Sequence, residues 1–211
     1  MQSSLVSPDR IPAILSFWFG EGEDRNKAPK PAQFKIWFMC KPEDDAQIRE
    51  LFAEDLQKLA RGEYDSWKSD KAGKLAAVIL ADQLSRNIFR RQKEAFDYDH
   101  ISLAISKGMT DDEILSYDIQ EQSFLMLPFE HSENRDDQVR AVELANLVAS
   151  KVPAEAEEGI KGFVKQLITY ANQHKEIIDR FGRYPHRNEF LGRENTEEET
   201  EYLKTATRFG Q

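Results

Sequence analysis

The chain has 211 residues, 40% of them hydrophobic, and a formal net charge of -9 at pH 7. This length and apolar content suffice for one continuous core, so we predict a single domain over residues 1–211. Acids outnumber bases, with 38 Asp and Glu against 29 Lys and Arg. The balance disfavours a nucleic-acid partner, because binding to phosphates normally requires a basic surface.

Targeting and redox signals point to an intracellular protein. The sequence contains no run of about 18 apolar residues, and its start lacks the basic and then apolar pattern of a secretory signal. The single cysteine, Cys40, excludes an internal disulfide framework and a cysteine-based zinc site. We therefore predict a soluble protein of the reducing cytoplasm that has no membrane partner.

Hydrophobic periodicity and capping signals recur along nearly the whole chain. The first helix begins with Ser7 and Pro8, an N-cap followed by a first-turn proline, and includes Trp18. Further helices are predicted over 42–61, 70–89, 99–108, 110–127, 134–150, 158–181 and 197–207. Capping boxes start the helices after Thr110 and Thr196. Since no segment alternates as a β-strand does, the fold class is all-α, with about eight to ten helices.

Three local features complete this prediction. The helix over 70–89 is apolar on nearly every side, which predicts that it is buried. Asp99 is predicted to cap the helix that follows it. Residues 21–31 form the longest predicted loop.

Several polar residues lie on apolar seams of the predicted helices. Spacing of three and four residues points His174 into the core from the helix over 158–181. Asp82 and Arg86 lie one turn apart among apolar neighbours and can pair. Buried polar groups need partners or a purpose. His174 can equally be a satisfied core residue, and the Asp82–Arg86 pair can simply tie helices together.

The segment RFGRYPHRNEFLGR, residues 180–193, is unusually basic for so acidic a chain. Glu189 is its one acid, and its basic or potentially basic residues are Arg180, Arg183, His186, Arg187 and Arg193. This composition predicts a polar pocket of arginines and histidines set into a helical body.

Four motifs in this order and spacing carry a resemblance to a known family. They are ILSFWFG (14–20), DQLSRNIFR (82–90), LPFEHSE (127–133) and RFGRYPHRNEFLGR (180–193). The set closely resembles the family catalogued as domain of unknown function 924, over nearly the entire chain. The resemblance implies an all-α, tetratricopeptide-like array or bundle of antiparallel helices, and it implies no established activity. His174, eight residues before Gly182, also lies where that family usually has its histidine.

The main hypothesis for function is a pocket that binds a small anion, either a carboxylate or a phosphate. The planar guanidinium groups of Arg86, Arg183 and Arg187 suit bidentate recognition of such groups. Aromatic side chains are expected to form the walls. The predicted ligand-binding residues are Trp18, Asp82, Gln83, Arg86, Asn87, Arg90, Arg183, His186, Arg187 and Asn188.

Two alternatives remain open. In a hydrolase or lyase, His131 would exchange protons with Glu130 or Glu133, and His174 is the third catalytic candidate. In a helical scaffold, stacked hairpins would bind a peptide or protein partner. The sequence contains no His-Glu-x-x-His pair, so no metal site is predicted, and it does not identify a cofactor.

Overall fold

The structure is a computed structural model that describes residues 10–206. Its α-helices, in chain order, are α1 (Arg10–Phe19), α2 (Pro31–Phe38), α3 (Pro42–Ala60), α4 (Lys71–Val78), α5 (Ser85–Ile88), α6 (Asp99–Lys107), α7 (Asp111–Leu115), α8 (Ile119–His131), α9 (Arg135–Ser150), α10 (Glu158–Phe181), α11 (Asn188–Leu191) and α12 (Glu197–Tyr202). Within the described residues there is no β-strand, so the all-α fold class is confirmed.

Helix ends agree best with the prediction where the capping signal is local. Asn134 caps α9, because its side chain accepts hydrogen bonds from the first backbone N–H groups of that helix. Gly182 ends α10 in the left-handed conformation, at φ 68°. The capping box of Thr196 and Glu199 opens α12 as predicted. The predicted cap at Ser7 and Pro8 lies outside the described residues.

Helix α2 was not predicted, because only tertiary contacts reveal it. Its N-cap position, Lys30, provides no side-chain hydrogen bond to the helix. Trp37 stabilises it instead, by donating a 2.8 Å hydrogen bond to the Trp18 carbonyl. The indole also packs edge-on against Phe124 of α8, with the ring centroids 4.8 Å apart.

The single helix predicted over 110–127 is wrong, since the chain forms α7 and α8 there. The break falls before Asp118, which caps α8 and forms its own capping box with Glu121. Helix α8 then continues to His131, although it contains Pro128 near its end. This proline is buried, and it has no N–H to donate within the helix.

The predicted helix over 70–89 forms, with an irregularity in its middle. Asp70 caps its start, and residues Ile79–Leu84 between α4 and α5 adopt π-helical geometry. All six residues of this π segment are buried. A π segment is wider than an α-helix and frequently marks functional positions.

One apolar core extends from α1 to α10, with α8 packed against α6, α9 and α10. A smaller apolar group joins Ile177 and Ile178 of α10 to Tyr184. The segment 182–193 therefore returns over the end of α8. The single-domain organisation and the tetratricopeptide-like arrangement stay predictions.

Candidate functional site

The π segment places Asp82 at the centre of a buried polar cluster. Asp82 has no exposed surface, and its carboxylate accepts hydrogen bonds from Nδ1 of His131 at 2.8 and 3.0 Å. The side-chain amide of Gln83 donates to the same carboxylate. Burial alone would raise the pKa of Asp82, but His131 and Arg86 outweigh it and hold that pKa at about 2. Asp82 is therefore an ionised carboxylate in the core.

Asp82 fixes the tautomer of His131. An ionised carboxylate against Nδ1 keeps the proton on that nitrogen, which leaves Nε2 as a proton acceptor. Nε2 has no hydrogen bond from any described residue, and the side chain is 14% exposed. Burial lowers the pKa of His131, against the opposing effect of Asp82. His131 is therefore a neutral imidazole whose Nε2 can accept a proton.

Arg86 is the well-satisfied arginine of the site. Its two terminal nitrogens bind both oxygens of Asp99, at 2.8 and 3.0 Å. It also donates to the backbone carbonyl of Asp82 and lies 3.8 Å from that carboxylate. Asp99 was predicted as a helix cap, but it is the first residue of α6, and Tyr98 holds the cap position. The prediction missed this ion pair, because no local pattern joins Arg86 to Asp99.

Arg187 is much less satisfied than Arg86. Its guanidinium carbon lies over the rings of Phe96 and Tyr184, 4.8 and 4.4 Å from their centroids. It donates one 2.9 Å hydrogen bond to the carbonyl of His131. Among the described residues, Asp99 provides its one carboxylate oxygen within 4.0 Å, and its buried Nε has no hydrogen-bond partner. Burial lowers the pKa of Arg187, as expected for an incompletely neutralised cation.

A second layer of neutral polar groups lies behind His131. Nδ1 of His174 binds the carbonyl of Tyr170 at 2.8 Å and lies 3.3 Å from Oε2 of Glu130. Burial raises the pKa of Glu130 to about 8 and lowers that of His174 to about 3. Burial also lowers the pKa of His186 to about 3. Near neutral pH this layer carries little charge.

The C-terminal segment is held against the end of α8 by Glu133. This carboxylate accepts two hydrogen bonds from Arg193, at 2.7 and 2.9 Å, and one from the backbone N–H of Tyr184 at 2.8 Å. The Tyr184 hydroxyl donates to the carbonyl of Glu130 and accepts from Gln138. Arg187 is positioned through these contacts.

The structure thus brings together part of the predicted site. The cluster contains the predicted residues Asp82, Gln83, Arg86, His131, His174, His186 and Arg187. Glu133 lies beside it, as the partner of Arg193 and not of His131. Phe96 and Asp99, which were not predicted, complete the surroundings of the two arginines.

Other predicted residues lie elsewhere. Trp18 belongs to the aromatic core with Trp37 and Phe124. Asn87 and Arg90 both bind Asp45 of α3. The remaining two contact the C-terminal region: Arg183 binds Glu199, and Asn188 binds Asn195.

A cavity of about 640 Å³ lies away from this cluster, near the ends of α3 and α6. Its lining includes Arg61, Lys68 and Lys74, which already pair with Glu63, Asp65 and Glu113 respectively. We favour the Asp82–Arg187 cluster as the functional site, because its buried groups are incompletely satisfied.

Residues 10–206 contain neither a metal-ligand cluster nor a membrane-spanning helix. No group of three or more His, Cys, Asp or Glu side chains is arranged to hold a metal ion. No described helix combines the length and the apolar character needed to cross a membrane.

Comparisons with known proteins identify a family but no activity. A family described as bacterial protein of unknown function, DUF924, matches residues 14–207. A solved structure of a protein of unknown function from Agrobacterium tumefaciens is similar, with a TM-score of 0.74 and 26% identity. The match covers 93% of this chain and 97% of that one. No curated protein matches the sequence. With nearly its whole length matched, the chain belongs to the family of domain of unknown function 924.

Proposed function

We propose that the protein binds a small anion, a carboxylate or a phosphate, at Arg187 and Arg86. The observation that carries this proposal is that Arg187 is buried with one of its N–H groups lacking an acceptor. The residue is only 7% exposed, its Nε has no hydrogen-bond partner among the described residues, and Asp99 is already bound by Arg86. A buried N–H group without an acceptor is costly, even where the charges around it balance. An anion whose oxygen accepts a hydrogen bond from this Nε–H would remove that cost.

The surroundings favour a small ligand with directed polar groups. Phe96 and Tyr184 both contact the guanidinium at cation–π distance, so they restrict its orientation before a ligand arrives. Such preorganisation increases affinity, because less side-chain entropy is lost on binding. The planar fork matches two oxygens of a carboxylate or a phosphate.

The test is thermal unfolding with inorganic phosphate, sulfate, acetate and citrate at matched ionic strength. We expect at least one anion to raise the melting temperature of the wild type by about 3 °C or more at saturating concentration. Arg187→Gln should lose that shift. Arg135→Gln, which removes an exposed arginine of α9, should keep it.

These two variants separate site binding from general stabilisation by salts, which acts on all variants alike. Arg187→Lys keeps the charge without the fork and should retain only part of the shift. Equal shifts in Arg187→Gln and Arg135→Gln, or no shift with any of the four anions, would contradict the proposal.

Acid–base catalysis at the same site is a second candidate, favoured by the contact between His131 and Asp82. A carboxylate that fixes the tautomer of an imidazole is the arrangement of a general base with its orienting group. Asp82 takes the place that the sequence suggested for Glu130 or Glu133. Incubating the protein with anionic esters and hydroxy acids, followed by NMR, tests this candidate. Product formation that His131→Asn abolishes would support a hydrolase or lyase.

A further inference from the structure

We propose that the site takes up its anion together with one proton, and that Nε2 of His131 accepts this proton. The inference rests on the proposed function, because it concerns the same anion at the same arginines. It adds a coupling between ligand binding and pH.

The charged side chains of the cluster balance one another. Arg86 and Arg187 supply two positive charges, and Asp82 and Asp99 supply two negative charges within 4.0 Å of them. Glu130 adds little, since its raised pKa keeps it mostly protonated near neutral pH. An incoming anion therefore adds negative charge to a buried site that is already balanced. A proton taken up at the same time restores the balance.

His131 is the group best placed to take that proton. Its Nδ1–H already binds Asp82, so protonation at Nε2 creates an imidazolium with an ionised carboxylate on one side. Its backbone carbonyl accepts a hydrogen bond from Arg187, which places the residue beside the proposed anion. A bound anion would thus stabilise the new charge directly.

The other titratable groups around His131 are less suitable. They come from every element packed around it. They are Asp82 of the π segment, Arg86 of α5, Asp99 of α6, Glu130 of α8, His174 of α10, and Tyr184, His186 and Arg187 of the segment 182–193. Nδ1 of His174 binds the Tyr170 carbonyl, and its nearest carboxyl group, that of Glu130, is itself mostly neutral.

The experiment is calorimetric titration of the full chain with sulfate and, separately, with acetate. Neither anion changes its charge between about pH 6 and 8, so any net proton uptake belongs to the protein. Heats measured in two buffers of different protonation enthalpy give the number of protons taken up. We expect up to one proton per anion bound, and an affinity that falls by up to tenfold per pH unit between about pH 6 and 8, above the lowered pKa of His131.

The control variant is His131→Asn, whose side-chain amide can still donate to Asp82 but lacks Nε2. It should bind the anion with little proton uptake, and with an affinity that changes far less than that of the wild type between about pH 6 and 7, where Glu130 stays mostly protonated. His100→Asn removes an exposed histidine of α6 and should behave as the wild type. NMR of the wild-type imidazole nitrogens gives an independent readout, since the added anion should protonate Nε2 of His131.

The outcomes separate this inference from the proposed function. Binding of sulfate or acetate without proton uptake would refute the coupling and leave anion binding intact. Proton uptake that persists in His131→Asn, or an NMR signal of His131 that stays neutral when the anion is bound, would also refute it. If neither anion binds the wild type, both the proton coupling and the proposed anion site are refuted.

Discussion

At the scale of single residues, two buried carboxyl groups of the site have opposite protonation states. Asp82 contacts His131 and Arg86, and its pKa is held at about 2. Glu130 faces His174 and, among the described residues, pairs with no Lys or Arg; burial raises its pKa to about 8. The difference follows from which neighbours each carboxyl group meets, since both are almost fully buried.

Replacing Glu130 with glutamine should change how stability depends on pH. The folded-state pKa of about 8 lies above the ordinary value of 4.5. The stabilisation by the protonated group is therefore fully present below about pH 4.5 and is lost as the pH rises through about 8. Glu130→Gln does not titrate, so its stability relative to the wild type should increase from pH 5 to pH 8. The increase should be at most roughly 1.4 kcal/mol for each pH unit between pH 5 and pH 8, measured by urea unfolding at both pH values.

The histidines titrate in both proteins, so their contribution cancels in this comparison. Glu176→Gln, at an exposed position of α10, should differ from the wild type by the same small amount at both pH values. A stability difference between Glu130→Gln and the wild type that is independent of pH would show that Glu130 is ionised in the folded protein.

At the scale of secondary structure, predictions succeeded where the signal is local. The amphipathic pattern and the flanking glycines suffice for α3 and α10, because the sequence contains both the apolar face and the stop signal. Helix α2 depends on Trp37, whose partners lie on α1 and α8. The π segment leaves no trace in the sequence, since one inserted position does not disturb an all-round apolar pattern.

Two helical glycines should respond in opposite ways to alanine. A Cβ at Gly73 of α4 would lie 2.6 and 2.8 Å from backbone atoms of Trp67, so the helix must move. A Cβ at Gly162 of α10 would have no such neighbour within 4 Å, and this glycine lies on an exposed face. We expect Gly73→Ala to lower the free energy of unfolding by about 2 kcal/mol or more. Gly162→Ala should raise it by about 0.5–1 kcal/mol, through better helix propensity.

Urea unfolding of both variants measures these effects. The pair is matched in chemistry, so a difference in sign isolates the contact between α4 and the 3-10 helix Asp65–Ser69. If Gly73→Ala leaves the free energy of unfolding unchanged, α4 can move away from Trp67 at no energetic cost. The buried start of α4 would then be loosely packed.

At the scale of the whole molecule, the site is assembled from segments far apart in the sequence. Asp82 and His131 are separated by 49 positions, and Arg187 lies 56 positions from the His131 carbonyl that it binds. The sequence could indicate that polar residues on apolar seams need partners, but it could not pair them. It therefore matched His131 with its neighbours Glu130 and Glu133, whereas the fold brings Asp82 to it from another helix.

Because Arg187 lies far from His131 in the sequence, its position in the site depends on how the segment 182–193 is attached to the rest of the protein. Glu133 binds Arg193 with both oxygens and also accepts the backbone N–H of Tyr184. Glu133→Gln removes the charge that both contacts require. We expect amide hydrogen exchange in this segment to become about tenfold faster, which corresponds to about 1.4 kcal/mol of lost local stability. Exchange in α9 and in the middle of α10 should stay as in the wild type.

Glu198→Gln is the matched control, because it also removes a carboxylate that binds an arginine of this region. The partners, Glu198 and Arg180, are both more than half exposed, and exposed pairs contribute about 0–1 kcal/mol. Its exchange profile should therefore differ little from that of the wild type. If amide exchange in the segment 182–193 becomes equally faster in both variants, the segment is held by its overall charge balance and not by Glu133 in particular. Acceleration in Glu133→Gln alone would identify this carboxylate as the link through which the end of α8 positions Arg187.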